Sequence, residues 1–332
     1  MAQLPTIEDV ARAANVSRQT VSNVLNSPEI VKPDTRSRVE DAIANLGYRV
    51  HASARRLRTR QSSTIGIRLD PVSKNGISGA VLDRYLHALT ELAAGRGMRI
   101  TLFTAADVGD ELEQYRRLRD GADVDAFVVT GTTFNDPRIE WLIEHRMPFV
   151  SFGRPWGGAM DSPDHLWVDV DGRAGTYEAT AHLIGRGHRR VGYLGWPAGS
   201  GTGDERRRGW SEAMRDRLGV IERELDGLVI ETEEGVPNGR RVIQDLFASP
   251  HDLEALVCAS DSLALGAMMA VNAAGQPHFP VIGFDNTPVA QAVGLSSVDQ
   301  QLDQVAAGTL ELLMGATGRR VLPHGSGGDD PS

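Results

Sequence analysis

The chain has 332 residues, 41% hydrophobic and 24% charged, and a formal net charge of −9. This length suits two or three domains, and no apolar run approaches the ~18 residues that a membrane-spanning helix needs. Cys258 is the only cysteine, which excludes an intrachain disulfide framework and a cysteine-built zinc site. The start, MAQLPTIEDV, has neither a basic head nor an apolar stretch, so no signal peptide is expected, and a reducing cytoplasm fits. Charge is uneven: residues 1–60 hold 10 Lys+Arg against 6 Asp+Glu, and the remainder 25 against 38. Such a basic head suits contact with a polyanion or forms a solvated basic surface.

In chain order, TIEDVARAANVSRQTVSNVLN reads as two short helices. Thr6 caps the first with Asp9 as its capping-box partner. Ile7, Val10, Ala11 and Ala14 form one apolar stripe. Asn15 is suited to a left-handed turn, and Ser17 caps the second helix. There Val21, Val24 and Leu25 face inward, and Arg18, Gln19, Ser22, Asn23 and Asn26 face out. A helix, tight turn and second helix with a polar face make a helix-turn-helix. Its outer residues are of the types that read base edges: arginine for guanine, glutamine and asparagine for adenine. A third helix, KPDTRSRVEDAIANLG, has Pro33 in its first turn and Gly47 just past its end. Its stripe of Val39, Ala42, Ile43 and Leu46 closes a three-helix core.

The next stretch, HASARRLRTR, is too short to hold a helix alone in water. Beyond it, apolar runs alternate with helical patterns. Strands are expected at 64–69, 98–104, 124–130, 147–152, 166–170, 190–195, 227–231, 255–260 and 280–285. Helices between them include 79–95, 173–187, 204–218, 238–248 and 261–274. This alternation predicts α/β architecture, with two doubly wound parallel-sheet lobes and a cleft between them.

In such sheets ligands sit beyond the carboxyl ends of the strands. The polar residues there are Asp70, Thr130, Asp169, Asp171, Trp196, Ser260, Asp261 and Asp285. Arg206 follows the glycine-rich stretch GWPAGSGTGDERRRGW. Carboxylates and a planar arginine suit sugar hydroxyls, and Trp156 or Trp196 suits the apolar face of a sugar ring. Each acid equally suits a helix cap or a surface charge. No P-loop, GxGxxG after the first strand, GxSxG or HExxH is present, so nothing compels an enzyme, a metal or a cofactor.

Head and body together resemble the lactose-repressor (LacI) family of bacterial transcription regulators, over nearly the whole chain. The motifs that carry this are TIEDVARAANVSRQTVSNVLN, TRSRVEDAIANLGYRVHASARRLRT, VDVDGRAGTYEATAHLIGRGHRRVGYLG, RRRGW, ASDSLALGAM and VIGFDN. The resemblance implies a cytoplasmic, nucleoid-associated homodimer on a near-palindromic operator in double-stranded DNA. It implies a repressor of carbohydrate-utilisation genes, with a sugar-like effector between the lobes. It divides the chain into a DNA-binding domain (1–50), a hinge (51–61), a two-lobed effector and dimerisation domain (62–322) and a disordered tail (323–332). Carried over by motif, the residues facing DNA are Thr6, Ser17, Arg18, Gln19, Thr20, Ser22, Asn23, Asn26, Arg36 and Tyr48. In the hinge they are Arg55, Arg56 and Leu57, with Leu57 as an apolar wedge in the minor groove. The implied effector residues are Asp70, Asp171, Arg206, Ser260, Asp285 and Gln300. Three positions depart from the family pattern. Glu234 and Gly235 stand where many relatives place an aromatic or other ligand-facing residue, Ser260 stands where an amide or acid is frequent, and the C-terminus lacks the final apolar strand. A binding protein without a DNA role and an enzyme on the same fold are the competing readings.

Overall fold

The computed structural model describes residues 5–48, 62–69, 79–158 and 162–316. Expectations for the hinge, Asp70 and the C-terminal tail lie outside the described residues. The chain separates into two compact units, 1–62 and 63–332.

The first unit holds three helices: α1 (Ile7–Ala13), α2 (Arg18–Asn26) and α3 (Pro33–Leu46). Thr6 and Asp9 form the expected capping box, and Asn15 takes the left-handed turn at φ 55°. Ser17 caps α2 by accepting from the Thr20 amide at 3.1 Å. Val10, Val21 and Val39, one from each helix, are fully buried and meet in one core. Leu46 departs from its stripe and is exposed. The chain reverses at Gly47 (φ 63°), and the Tyr48 amide donates back to the Ile43 carbonyl. Tyr48 then packs in the core.

The second unit contains two five-stranded, all-parallel sheets. Lobe 1 has β1 (Thr64–Arg68), α4 (Gly79–Gly95), β2 (Arg99–Phe103), α5 (Val108–Asp120), β3 (Ala126–Thr130), α6 (Pro137–Glu144), β4 (Phe149–Phe152) and β5 (Leu166–Val168). The chain then crosses to lobe 2 for α7 (Gly172–Gly185), β6 (Val191–Gly195), α8 (Gly201–Leu218), α9 (Glu222–Asp226) and β7 (Val229–Glu231). Lobe 2 continues with α10 (Val236–Phe247), β8 (Ala255–Cys258), α11 (Asp261–Ala273), β9 (Val281–Asp285), α12 (Pro288–Ala292) and β10 (Ser296–Asp299). Finally α13 (Leu302–Ala316) returns to lobe 1, where Leu302, Val305, Leu310 and Leu313 join its core.

The central strands TIGIR, AFVVT, VGYLG and ALVC are almost wholly buried, as strands covered on both faces must be. The sheet orders are β2-β1-β3-β4-β5 and β10-β9-β8-β6-β7. Each lobe therefore winds outward in both directions from its first strand. Both crevices open where the winding reverses, beside β1/β3 and β6/β8.

Two expectations need correction. Strand β10, SSVD, has no apolar pattern and was not expected. It is an edge strand, held by its ladder to β9 rather than by burial. Helix α8 starts at Gly201, three residues before its expected start. Ser200 caps it by accepting from the Gly203 amide. Glycine at 201 is required there, because a Cβ would collide with the Trp156 indole.

Candidate functional site

In the first unit the polar face of α2 is the candidate nucleic-acid interface. Ser17, Arg18, Gln19 and Asn26 are exposed, and Thr20, Ser22 and Asn23 half-buried. The bonds of Arg18, Gln19 and Asn26 run to neighbours on α2 or to Glu8 of α1, at the surface. Arg18 pairs with Glu8 at 3.0 Å. Gln19 donates to Asn23 at 2.9 Å, and Asn26 to the Ser22 hydroxyl at 3.2 Å. Each such bond is cheap to exchange for a base or phosphate. Arg36 is exposed on α3 beside Glu40. Thr6 is committed to the capping box, donating from its hydroxyl to Asp9 at 2.7 Å. The amide and hydroxyl of Thr6 hold the Asp9 carboxyl below its ordinary pKa. Tyr48 is buried in the head's core, and burial raises its phenol.

In the second unit a cavity of about 250 Å³ lies between the lobes. Lobe 1 contributes Thr130, Phe152, Arg154 and Trp156 from the ends of β3 and β4. Lobe 2 contributes Glu205 and Arg206 from α8, and the returning crossover contributes Gln300. Arg206 is nearly buried. Its guanidinium lies 3.7 Å from the centroid of the Phe284 ring and 3.6 Å from Asp285, and it donates to the Ala259 carbonyl. Its Nε is buried without a partner. A donor in that state costs roughly 1–3 kcal/mol, which an acceptor on a ligand would recover.

Asp285 sits beneath this arginine. Burial pushes its carboxyl up to about 7; Arg206 draws it down, and Asp261 and Glu234 push it further up. The Gln300 amide donates to Asp285. The Asp285 backbone has φ 120°, a conformation that costs roughly 1–3 kcal/mol and is typical of functional positions. Asp169 faces Arg154 at 3.0 Å; burial raises its pKa against the pull of that arginine.

The remaining expected effector residues are placed differently. The Ser260 hydroxyl donates to Glu234 at 2.8 Å and caps α11. Glu234 in turn accepts from the Trp196 indole at 2.7 Å. Asp171 is exposed and caps α7 through the Ala174 amide, outside the residues that line the interlobe cavity. Asp261 is spent on the Thr287 amide and hydroxyl. The cleft thus brings together Arg206, Asp285 and Gln300, with Ser260 tied to Glu234 and Asp171 at a helix end.

Two features escaped the sequence reading. Arg154 lies just past the end of β4, in FGRPWG, two residues before the expected Trp156, where inspection of polar residues after every strand would have found it. Arg154 reaches Glu205 across the lobes at 3.4 Å. The second feature is a buried charge network in lobe 1. Glu111 accepts from Arg68 at 2.8 Å and from the Tyr115 hydroxyl at 2.7 Å. Arg138 joins Glu111 to Asp136 and donates to the carbonyls of Thr130 and Gly131 at 3.1 and 2.9 Å. The network therefore fixes the backbone of the loop that lines the cleft. No local pattern reveals pairs so distant in sequence.

A helix-turn-helix unit followed by two parallel-sheet lobes around a cleft defines a DNA-binding regulator with a periplasmic-binding-type effector domain. Residues 6–50 match the family model described as bacterial regulatory proteins, lacI family. Residues 82–321 match that of periplasmic binding proteins and the sugar binding domain of LacI family. The transcriptional regulator AglR of Rhizobium meliloti (strain 1021) is 31% identical over 322 residues, covering 97% of this chain and 87% of AglR. The structure of a transcriptional regulator CelR–cellobiose complex is 28% identical, covers 96% of this chain and 95% of its own, and superposes with TM-score 0.67. The lac repressor dimer bound to operator shares the fold at TM-score 0.80 and 22% identity, with 96% and 94% coverage. This chain belongs to the LacI family of DNA-binding transcription regulators. Among the described residues no helix is long and apolar enough to cross a membrane.

Proposed function

We propose that this chain is a cytoplasmic, nucleoid-associated homodimer that represses carbohydrate-utilisation genes and is not an enzyme. Each α2 enters the major groove of one half of a near-palindromic operator. Arg18, Gln19 and Asn23 read base edges, Ser17, Thr20, Ser22 and Asn26 support them, and Arg36 holds a phosphate. Residues 51–61 join the head to the effector domain as the hinge. The effector is a sugar-like molecule between the lobes. Arg206 donates to its hydroxyls, Asp285 accepts from them, and Gln300 orients Asp285.

The observation that carries the effector reading is Arg206, which lines the interlobe cavity, has a buried, partnerless Nε and faces the Asp285 carboxyl. That pairing of a planar donor with an acceptor suits adjacent hydroxyls. The CelR–cellobiose complex supports a sugar as the ligand class. A gel shift with the DNA upstream of the protein's own gene tests the regulator reading. A retarded band that weakens as salt rises is expected. No shift of any fragment at low salt overturns it.

A further inference from the structure

A second cavity, of about 490 Å³, lies on lobe 1 alongside α6. Thr132, Arg154 and Trp156 line both this cavity and the interlobe one, so the two compartments share a wall. We infer that effector recognition continues past this wall, and that the effector is a neutral oligosaccharide with one ring in the cleft and a second on lobe 1. This rests on the sugar-effector reading above.

Size is the first reason. Pockets that enclose a small-molecule ligand run to roughly 300–1,000 Å³. At about 250 Å³ the interlobe cavity alone falls below that range, and the neighbouring compartment lies within it.

Chemistry is the second. Glu140 and Glu144 sit one turn apart on α6 and are exposed, so both can accept from hydroxyls. Asp136, also in the wall, is already spent on Arg138. Ile139, Ile143 and Pro155 supply an apolar strip between these acids and Trp156. The Trp156 indole Nε1 is buried without a partner, which leaves a donor on an aromatic of the shared wall. Acceptors, an apolar strip and an indole form the pattern that a pyranose ring matches with its hydroxyls and its apolar face.

Charge excludes an anionic occupant. Among the described residues that line this second compartment, Arg154 is the only arginine or lysine, and Asp169 and Glu205 already neutralise it. His165, also in the wall, has its pKa lowered by burial and adds no positive charge near neutrality.

Calorimetry on the full chain tests this, with a panel of neutral pentoses and hexoses and their linked di- and trisaccharides. At least one disaccharide should bind about tenfold or more tighter than its monosaccharide unit, a difference of about 1.4 kcal/mol. Ile143→Trp, which fills the second compartment from outside the cleft, should remove that excess and leave the monosaccharide within about twofold. Glu140→Trp fills the same space from a neighbouring turn and should do the same. If monosaccharide and disaccharide bind equally, or if both fillings leave the disaccharide untouched, the second compartment is overturned while the sugar reading stands. If no saccharide binds, the sugar reading itself is overturned, and the second compartment with it.

Discussion

Arg18 in the head and Arg206 in the cleft are the same residue type in opposite settings. The Arg18 side chain is 67% exposed and pairs with Glu8, itself 58% exposed, at 3.0 Å. The Arg206 side chain is 6% exposed, stacks on Phe284 and faces Asp285. A solvated pair is worth about 0–1 kcal/mol, so Arg18 can leave Glu8 for a base at little cost. A buried pair is costly to break, and its desolvation is already met when the lobe folds. Arg206 is therefore a fixed donor, and as the proposed effector contact it is in place before a ligand arrives. The head carries side chains free to be re-paired on a long polyanion, whereas the cleft carries a preset geometry for one small molecule.

Removing Arg206 sharpens that contrast most. Arg206→Ala should reduce effector affinity by about tenfold or more, since a hydrogen bond from a charged donor is worth roughly 1.5–3 kcal/mol. Operator affinity without effector should hold within about threefold, because head contacts are untouched. Without the arginine the Asp285 carboxyl rises further and takes a proton at neutral pH, which keeps the cleft foldable. Calorimetry and operator titration check the two halves.

Asp285 also makes the cleft pH-dependent in a way the head is not. Its pKa in the folded chain is about 7, against an ordinary 3.8. Between those values the folded chain holds a proton that the unfolded chain has lost. Its contribution to stability therefore falls as pH rises from about 4 to about 7 and is level above. Melting temperatures across that window should show a slope that Asp285→Asn flattens; identical slopes would remove Asp285 as the cause.

Packing separates the two units next. A Cβ at Gly209 would collide with the Arg173 backbone, where α7 and α8 cross. Gly209→Ala should cost about 1–3 kcal/mol and lower the melting temperature by several degrees, as overpacked contacts do. In the head, Gly47 has open space around it, so Gly47→Ala should cost only about 1 kcal/mol for its positive φ.

The exposed arginines act on operator binding and leave stability nearly unchanged. Arg18→Ala should lose about tenfold or more on the preferred base and little on others, as base contacts carry about 1–3 kcal/mol of discrimination. Arg36→Ala should weaken all sequences alike by a few-fold and reduce the salt slope by about one. Operator variants titrated at two salt concentrations separate them. Equal loss on every sequence for Arg18→Ala would break the distinction between the two residues.

The head was largely legible because its signals are local. Thr6 and Asp9 are three residues apart, Asn15 turns, Ser17 caps, and the three valines lie on helical stripes. Leu46 was misread because a helix end, not its periodicity, decides where it points. The body's central strands were legible as apolar runs. The edge strand β10 was not, since backbone pairing and not burial makes it a strand. In the cleft, Arg206, Asp285 and Gln300 followed from motif and from their place after strands. Ser260 was assigned to the effector, yet Glu234 claims its hydroxyl, a tertiary pairing across 26 residues. Arg154 and the Glu111–Arg138 network depend on lobe geometry in the same way.

The coupling of cleft to operator is tested most directly by fluorescence anisotropy of the full chain on its operator, with and without the saccharide that calorimetry identifies. The natural sequence should shift in operator affinity by about tenfold or more, within the coupling range of roughly 1–3 kcal/mol. Arg206→Ala should show no shift, with unchanged affinity in the absence of saccharide. A full shift in Arg206→Ala at the same saccharide concentration would overturn the role of Arg206 in that coupling.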